Sequence, residues 1–542
     1  MEDYRTLSSL KVYGTLGLIT IGRDVFLCVV SNARQVATVR PGEDVQQILS
    51  VEFHCLNRGD YDHLLNDAIN PYPEETIEAD NWDFQGQAHR ESLLEHPCMA
   101  LKKMLSGGSF YFSTDFDLTK RVQDRSTESS TVAVESLEAG FLWNTYMIQP
   151  LVDFRSRLAE HERDALDHSG ILTSAIRGFA KTVHVPASSS PARYSKLGQP
   201  SNMTVISRLS CRRAGTRFNA RGIDDDGNVA NFVETETIFC TDSLCFSYVQ
   251  CRGSVPLFWE QANGLPTQQK VTISRSAEAT QPAFDKHFES LQRAYGDVLV
   301  VNLLSEKSAE TMLTRQYDYH IRQFSERRDP EKSESEHQHL QSVNYDYHAE
   351  VRGVGLDAAK GIKRWLIDSA VSFEYFLSEE AQATPRVGPG GRKAILVGQN
   401  EVLKQAGIFR TNCLDCLDRT NHIQHIISHM ALEIFLRQHD DRMPTSDFWA
   451  RHNTLWADNG DGLSMIYTGT GALKSSHTRN GGGGFFADLR KSAERVIQNS
   501  FIDPHRQKHI DLLLGRLMGQ VPVHLYDPIN DYVTGELSRR AT

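Results

Sequence analysis

Apolar and polar positions alternate in short segments over the first part of the chain. Tyr13-Gly14-Thr15-Leu16-Gly17-Leu18-Ile19 and Val25-Phe26-Leu27-Cys28-Val29-Val30 read as strands, with turns supplied by Asn32-Ala33-Arg34 and Arg40-Pro41-Gly42-Glu43. Phe110-Tyr111-Phe112 continues this pattern into Asp117-Leu118-Thr119. A different period follows further on. Ile423, Ile426, Ile427, Met430, Ala431, Ile434 and Phe435 repeat at helical spacing, shortly after the apolar strand end Gly407-Ile408-Phe409. Segments 122–136 and 187–201 are rich in Ser and Pro and read as loops. Residues 324–340, charged and poor in aliphatic side chains, read as a mobile loop. Arg386-Val387-Gly388-Pro389-Gly390-Gly391 and Gly481-Gly482-Gly483-Gly484 read as flexible. There is no internal repeat. The pattern predicts an α/β (α+β) chain in two parts: a β-rich N-terminal subdomain, residues 1–180, packed on a second subdomain, 181–542, that holds the strand-loop-helix turn.

The composition fits this picture. At 542 residues the chain exceeds one ordinary domain. Its 40% hydrophobic and 23% charged content belongs to a globular core with a solvated surface. No apolar run approaches the ~18–20 residues of a spanning helix. Met1-Glu2-Asp3-Tyr4-Arg5 lacks the basic stub and apolar stretch of a signal peptide. Nine cysteines, an odd number without paired spacing, suit a reducing compartment, so a cytoplasmic protein is expected. A net charge of −11 argues against general attraction to nucleic acid or to anionic membrane. Locally the balance differs. Arg208, Arg212, Arg213, Arg217 and Arg221 crowd one segment, and Lys474 and Arg479 follow Gly469-Thr470-Gly471. A solvated strand face accounts for any one of these arginines. As a group they read as a basic wall around an anionic site.

The densest chemistry lies in Arg410-Thr411-Asn412-Cys413-Leu414-Asp415-Cys416-Leu417-Asp418-Arg419-Thr420-Asn421. Cys413 and Arg419 bracket five residues, the spacing of a loop that wraps a phosphate. A thiol at such a turn faces backbone N–H groups and a helix N-terminus, which favour an anion. An ordinary thiol titrates near ~8.5, and this setting with nearby cations brings it to roughly 3.5–7.5, making Cys413 a thiolate at neutral pH. Arg419 offers a planar fork to two phosphate oxygens. Thr420 can donate its hydroxyl to the thiolate and ease its departure. Asp415 or Asp418 is placed to protonate a leaving oxygen, Asp418 being favoured because it adjoins Arg419 at the loop mouth. Asn412, Leu414, Cys416, Leu417, Arg217 and Lys474 are candidate substrate-binding residues, with Leu414 and Leu417 expected to pack beneath the loop. The layout implies a cysteine-dependent phosphatase.

Other readings stay open at this point. Cys413 and Cys416 form a Cys-x-x-Cys pair, which also suits a dithiol oxidoreductase or half of a zinc site. No second such pair and no clustered His pair completes a tetrahedral set, so no metal and no cofactor is expected, and EDTA is expected to leave turnover unchanged. Asp458, Asn459 and Asp461 fit a cation-binding cluster or, equally, turn capping by Asx side chains. His348, beside Asp346, reads as an orienting residue or as a packing histidine. A low-pKa thiolate is the one most readily oxidised, and Cys416 is spaced to trap it as a disulfide.

The twelve residues from Arg410 to Asn421 resemble the signature of the Sac family of phosphoinositide phosphatases. Further blocks carry the resemblance in the family's order: Arg213-Ala214-Gly215-Thr216-Arg217-Phe218-Asn219, Gly227-Asn228-Val229-Ala230-Asn231-Phe232-Val233-Glu234-Thr235-Glu236, Arg252-Gly253-Ser254-Val255-Pro256-Leu257-Phe258-Trp259, Asp346-Tyr347-His348, and Trp456-Ala457-Asp458-Asn459-Gly460-Asp461. It spans roughly residues 12 to 525, and Ser254–Gln261 and Val301–Leu304 are closest in wording to the synaptojanin-like Sac domain. Synaptojanin-like proteins carry a 5-phosphatase domain after this one, and endoplasmic-reticulum members end in membrane-spanning helices. The sequence here reads either as a free-standing Sac protein or as a domain of a longer one. The Asp-rich loop also resembles that of myotubularin-type lipid phosphatases, where the acid belongs to the loop.

The resemblance implies a catalytic Sac subdomain with a cysteine-phosphatase-like phosphate loop. It implies a protein associated peripherally with membranes and acting on a phosphoinositide lipid there. Phosphatidylinositol 4-phosphate is the leading substrate, with the 3-phosphate and 3,5-bisphosphate beside it. Protein tyrosine phosphatase activity and a non-catalytic phosphoinositide-binding scaffold are the alternatives. Neither a recruiting partner nor an oligomeric state can be read from the sequence.

Overall fold

The computed structural model describes residues 11–59, 61, 96–125, 137–190, 201–217, 219–261, 270–306, 310–327, 340–387, 393–439, 444–469 and 503–517. Lys474, Arg479 and the Gly481–Gly484 run lie outside these residues, as do 328–339 and 388–392.

Eight strands pair antiparallel in chain order: β1 (Gly14–Ile21), β2 (Asp24–Thr38), β3 (Asp44–Cys55), β4 (Phe110–Phe112), β5 (Ile176–Val185), β6 (Ser201–Leu209), β7 (Val233–Cys240) and β8 (Leu244–Arg252). A separate short ladder joins β9 (Trp259–Gln261) to β10 (Val271–Ile273). The sheet then turns parallel. Its remaining strands are β11 (Asp297–Asn302), β12 (Leu340–Asn344), β13 (Phe376–Val387), β14 (Lys393–Leu403) and β15 (Gly407–Asn412). β15 lies between β8 and β11, parallel to both, and β12 follows β11 in parallel, while β13 runs antiparallel to β8 and β14. Every residue of β15 is buried, as expected of a parallel strand covered on both faces.

The helices are α1 (Met99–Leu105), α2 (Thr145–Ser156), α3 (Glu160–Ser169), α4 (Ala277–Tyr295), α5 (Glu310–Arg327), α6 (Tyr347–Val351), α7 (Lys363–Phe373), α8 (Asp418–His439), α9 (Ser446–Thr468) and α10 (Asp503–Leu513). α9 has clear ends: the Thr445 hydroxyl accepts the Phe448 N–H, and Gly469 closes the helix at φ 72°. Its first half puts Phe448, Leu455 and Trp456 into the apolar cluster around Phe409, Ile423 and Ile427. Its second half puts Leu463 and Ile466 into the cluster around Phe26, Phe53 and Phe110. One helix therefore ties the N-terminal strands to the strand-loop-helix turn. β5 itself runs through residue 180 and pairs with β4 on one side and β6 on the other.

Several sequence expectations need correction. Asn32-Ala33-Arg34 is no turn: β2 runs straight through it, absorbing the break as bulges against β3 between Val30 and Ala33. The mobile loop expected over 324–340 does not include its two ends: α5 continues to Arg327 and Leu340 starts β12, while 328–339 lies outside the described residues. Within 122–136, Val122–Asp124 forms a 3-10 turn, and 126–136 lies outside the described residues. Asp458, Asn459 and Asp461 sit in the middle of α9, so they cap no turn. Asp458 pairs with Lys181 at 2.6 Å, and Asn459 is buried against Ser207 and Asn421. Among the described residues no group of three or more His, Cys, Asp or Glu side chains is arranged to hold a metal ion.

The basic wall is also smaller than expected. Arg208 points into the sheet, wholly buried, where Glu234 and Glu236 take its two terminal nitrogens at 2.9 and 2.8 Å. It also donates to the carbonyls of Leu118 and Lys120, fastening that segment to β6 and β7. Only Arg217 and Arg221 of the five arginines reach the loop after β15.

Candidate active site

β15 delivers Cys413 to the point where the sheet's carboxyl edge meets the start of α8. Ligands of open α/β sheets bind at this edge. The strand end is held by a buried polar chain. Arg410 donates to the Ser254 carbonyl and, at 3.2 Å, to Asn412 Oδ1, while Asn412 donates to Asn302 Oδ1 at 2.7 Å. The loop then turns back on the sulfur. Cys416 adopts the left-handed φ of 56°, which aims its backbone N–H at Cys413 Sγ, 3.1 Å away. Its own thiol donates to the Gly253 carbonyl at 2.9 Å. Gly253 has to be glycine here, since a Cβ would lie 2.7 Å from the Val229 side chain.

Cys413 is buried, which by itself raises a thiol's pKa; the Cys416 interaction, the Arg419 charge and the Thr420 hydroxyl outweigh that and pull it down to about 5. Thr420 Oγ1 closes no hydrogen bond in this structure, yet it lies near enough to favour the anion. Burial drives the Cys416 thiol the other way, well above the ordinary range, and the neighbouring sulfur adds to the effect. The pair is thus asymmetric, with one thiolate and one thiol at neutral pH.

Arg419 is the second residue of α8 and is held from behind. Its Nη1 donates to the Leu303 carbonyl at 3.2 Å and to Glu310 Oε2 at 3.0 Å, and its Nη2 donates to Glu310 Oε1 at 3.0 Å. A guanidinium has five N–H donors. Among the described residues these contacts leave the Nε–H and one Nη2–H unused, the adjacent pair on one edge of the fork. Such an edge matches two oxygens of a phosphate. Glu310, at the start of α5, also accepts the Ser305 N–H, so its own position is fixed.

Asp415 and Asp418 part company. Asp415 takes Arg217 Nη2 at 2.6 Å and Arg221 Nη2 at 2.8 Å, and its backbone carbonyl accepts from Asn231. Burial works against the charge, but the two arginines win and hold the carboxyl below the usual range. Arg221 also donates to the Leu414 carbonyl at 2.9 Å, so the arginines splint the loop from outside. Asp418 instead opens α8 and borders Tyr347. Tyr347 hydrogen-bonds His422 Nδ1 at 2.9 Å. Leu417 is buried and Leu414 packs on the apolar cluster beneath.

The structure therefore brings together Asn412, Cys413, Leu414, Asp415, Cys416, Leu417, Asp418, Arg419, Thr420 and Arg217, while Lys474 lies outside the described residues. His348 is exposed, and its neighbour Tyr347 is the residue turned toward the loop. Three contributors went unread in the sequence. Glu310 looked like any acidic residue in a first helical turn. Arg221 was read only as one of a basic group. Arg252 opens a block that carried the resemblance but was given no role. It is buried at the end of β8, donates to Asn421 Oδ1 at 3.1 Å, and leaves Nε and Nη1 unpartnered. Burial lowers its pKa to about 10, with both sulfurs Cys416 and Cys413 pulling against that.

Comparison with known proteins places the chain. Residues 13–352 match the SacI homology domain, and the chain belongs to that family. It is 44% identical over its whole length to inositol-1,4,5-trisphosphate 5-phosphatase 1 of Schizosaccharomyces pombe, covering 47% of that protein. It is 39% identical, over 98% of its length, to a polyphosphatidylinositol phosphatase of Saccharomyces cerevisiae, covering 45% of it. A phosphatidylinositol-3-phosphatase of the same yeast is 32% identical over 77% of this chain and is covered to 62%. The chain spans about half the length of the first two relatives. No helix among the described residues is long and apolar enough to cross a membrane.

Proposed function

We propose that this chain is a phosphoinositide phosphatase that removes a phosphate from the inositol ring through a phosphocysteine. The observation that carries the reading is the sulfur of Cys413, held as a thiolate under the Cys416 N–H and beside an Arg419 whose open edge is set by Glu310. The thiolate attacks phosphorus in line. The bond to the inositol oxygen breaks, and Asp418 gives that oxygen its proton. Water then attacks the phosphocysteine, inorganic phosphate leaves, and Thr420 eases the return of the thiolate. Asp415, already committed to two arginines, holds the loop and carries no proton. Phosphatidylinositol 4-phosphate is the leading substrate, with the 3-phosphate and the 3,5-bisphosphate beside it. Phosphate release from liposomes that each bear one phosphoinositide tests the reading, and release from none of them by folded protein overturns it.

The pH dependence follows from the sulfur. Below its pKa of about 5 Cys413 is protonated and no longer a nucleophile. The acid limb of kcat/KM is therefore expected to break near pH 5 and to fall about tenfold per unit below it, because kcat/KM reports groups of the free enzyme. Alkylation by iodoacetate should follow the same curve. A break near the ordinary thiol pKa would show that the loop does not stabilise the thiolate.

Peroxide is expected to inactivate reversibly. The Cys413 thiolate attacks one peroxide oxygen, giving a sulfenic acid and hydroxide. The Cys416 sulfur then displaces hydroxide from that acid, which takes up the thiol proton to leave as water, and a disulfide forms. Dithiothreitol restores activity. In Cys416→Ser the sulfenic acid has no such trap, so repeated peroxide doses should cause lasting loss. Unchanged recovery in that variant would remove Cys416 from the scheme.

A further inference from the structure

We propose that residues 352–371 form the face with which this protein meets an anionic bilayer; the inference rests on the lipid-phosphatase reading above. Four large apolar side chains in this stretch are exposed: Val354 at 77%, Trp365 at 57%, Val371 at 51% and Ile367 at 38%. Val354 stands at the tip of Gly353-Val354-Gly355. Both glycines have left-handed φ, 76° and 102°, and a Cβ on either would meet nothing within 4 Å, so the loop projects from the body. On α7, Leu366, Ala370 and Phe373 fill the core, while Trp365, Ile367 and Val371 face outward. The inner face is complete, so the outer apolar residues serve no core of their own.

The charge around them favours a lipid surface over a protein groove. Arg352, Lys360, Lys363 and Arg364 stand against Asp357 and Asp368, a local balance of four minus two, or +2, in a chain of net −11. Lys360 pairs with Asp357 and Lys363 with Glu433, whereas Arg352 and Arg364 make no ion pair among the described residues. A projecting apolar tip and a tryptophan beside arginines that make no ion pair among the described residues match the interface of a bilayer with anionic headgroups. The stretch is tied to the helix that opens at the site. Tyr347, bonded to His422 in the first turns of α8, precedes Val354 by seven residues, at most about 25 Å of chain. Lys363 reaches His429 and Glu433 further along the same helix.

The test uses the double variant Val354→Asp/Trp365→Ala and two substrates with one headgroup. One is phosphatidylinositol 4-phosphate in phosphatidylcholine–phosphatidylserine vesicles, and the other is its water-soluble short-chain form. The variant is expected to lose about tenfold in kcat/KM on vesicles, in line with the surface it no longer buries, and to sediment less with them. Its hydrolysis of the soluble form should match wild type. Vesicle activity and sedimentation equal to wild type, as a protein-docking face would give, overturn the inference. So does an equal loss on both substrates. If wild type hydrolyses neither, the phosphatase reading fails, and sedimentation alone still decides the docking face.

Discussion

Cys413→Ser is expected to abolish phosphate release, by at least about 10⁴-fold in kcat, while the protein stays folded and still binds substrate vesicles. The serine hydroxyl fits the space of the thiol and can accept the Cys416 N–H that now points at sulfur 3.1 Å away. It cannot become an anion there, because a hydroxyl's pKa lies far above anything Arg419 and one N–H can offset. The loop would keep its shape and lose its nucleophile. Cys416→Ser provides the contrast. Its hydroxyl can still donate to the Gly253 carbonyl, so basal release should stay within a few-fold of wild type. A Cys413→Ser protein that still released phosphate would move the chemistry to another residue. A wild-type protein that bound vesicles and released nothing would be the scaffold.

Which parts of this site the sequence disclosed has a physical explanation. Cys413, Arg419 and Thr420 lie in one local turn, and their chemistry depends on spacing that a sequence displays. The helix after them was legible because seven apolar side chains recur at its period. Glu310 was not legible: it lies 109 residues from Arg419 and meets it only because β11 and β15 are parallel neighbours, a pairing fixed by tertiary packing. Arg208 and Arg217 show the same limit from the other side. Both were read as basic residues of one cluster, yet strand alternation turned Arg208 inward to two glutamates and the loop beyond β6 carried Arg217 to Asp415. The turn expected at Asn32-Ala33-Arg34 failed for a related reason. Turn-forming residues are also tolerated at bulges, and pairing with β3 decided which they would be.

Glu310→Ala is expected to lower kcat/KM about 10²-fold, the size of losing one pre-aimed contact to transition-state charge. The carboxylate makes two of the three contacts that orient Arg419 and leaves the Nε edge open. Without it the guanidinium keeps only the Leu303 carbonyl, at 3.2 Å, and swings among rotamers before each turnover. Glu310 never touches the phosphate in this account, so its effect must pass through Arg419. Two results would follow from that. Glu310→Gln, which keeps one acceptor oxygen, should recover part of the loss. In an Arg419→Lys background, where no fork remains to be aimed, Glu310→Ala should cost little, since residues acting as a unit are not additive. The opposite sign has a clear meaning as well. If Glu310→Ala raised activity, the carboxylate would be competing with the phosphate for Arg419, and the paired state seen here would be a resting one that substrate has to displace.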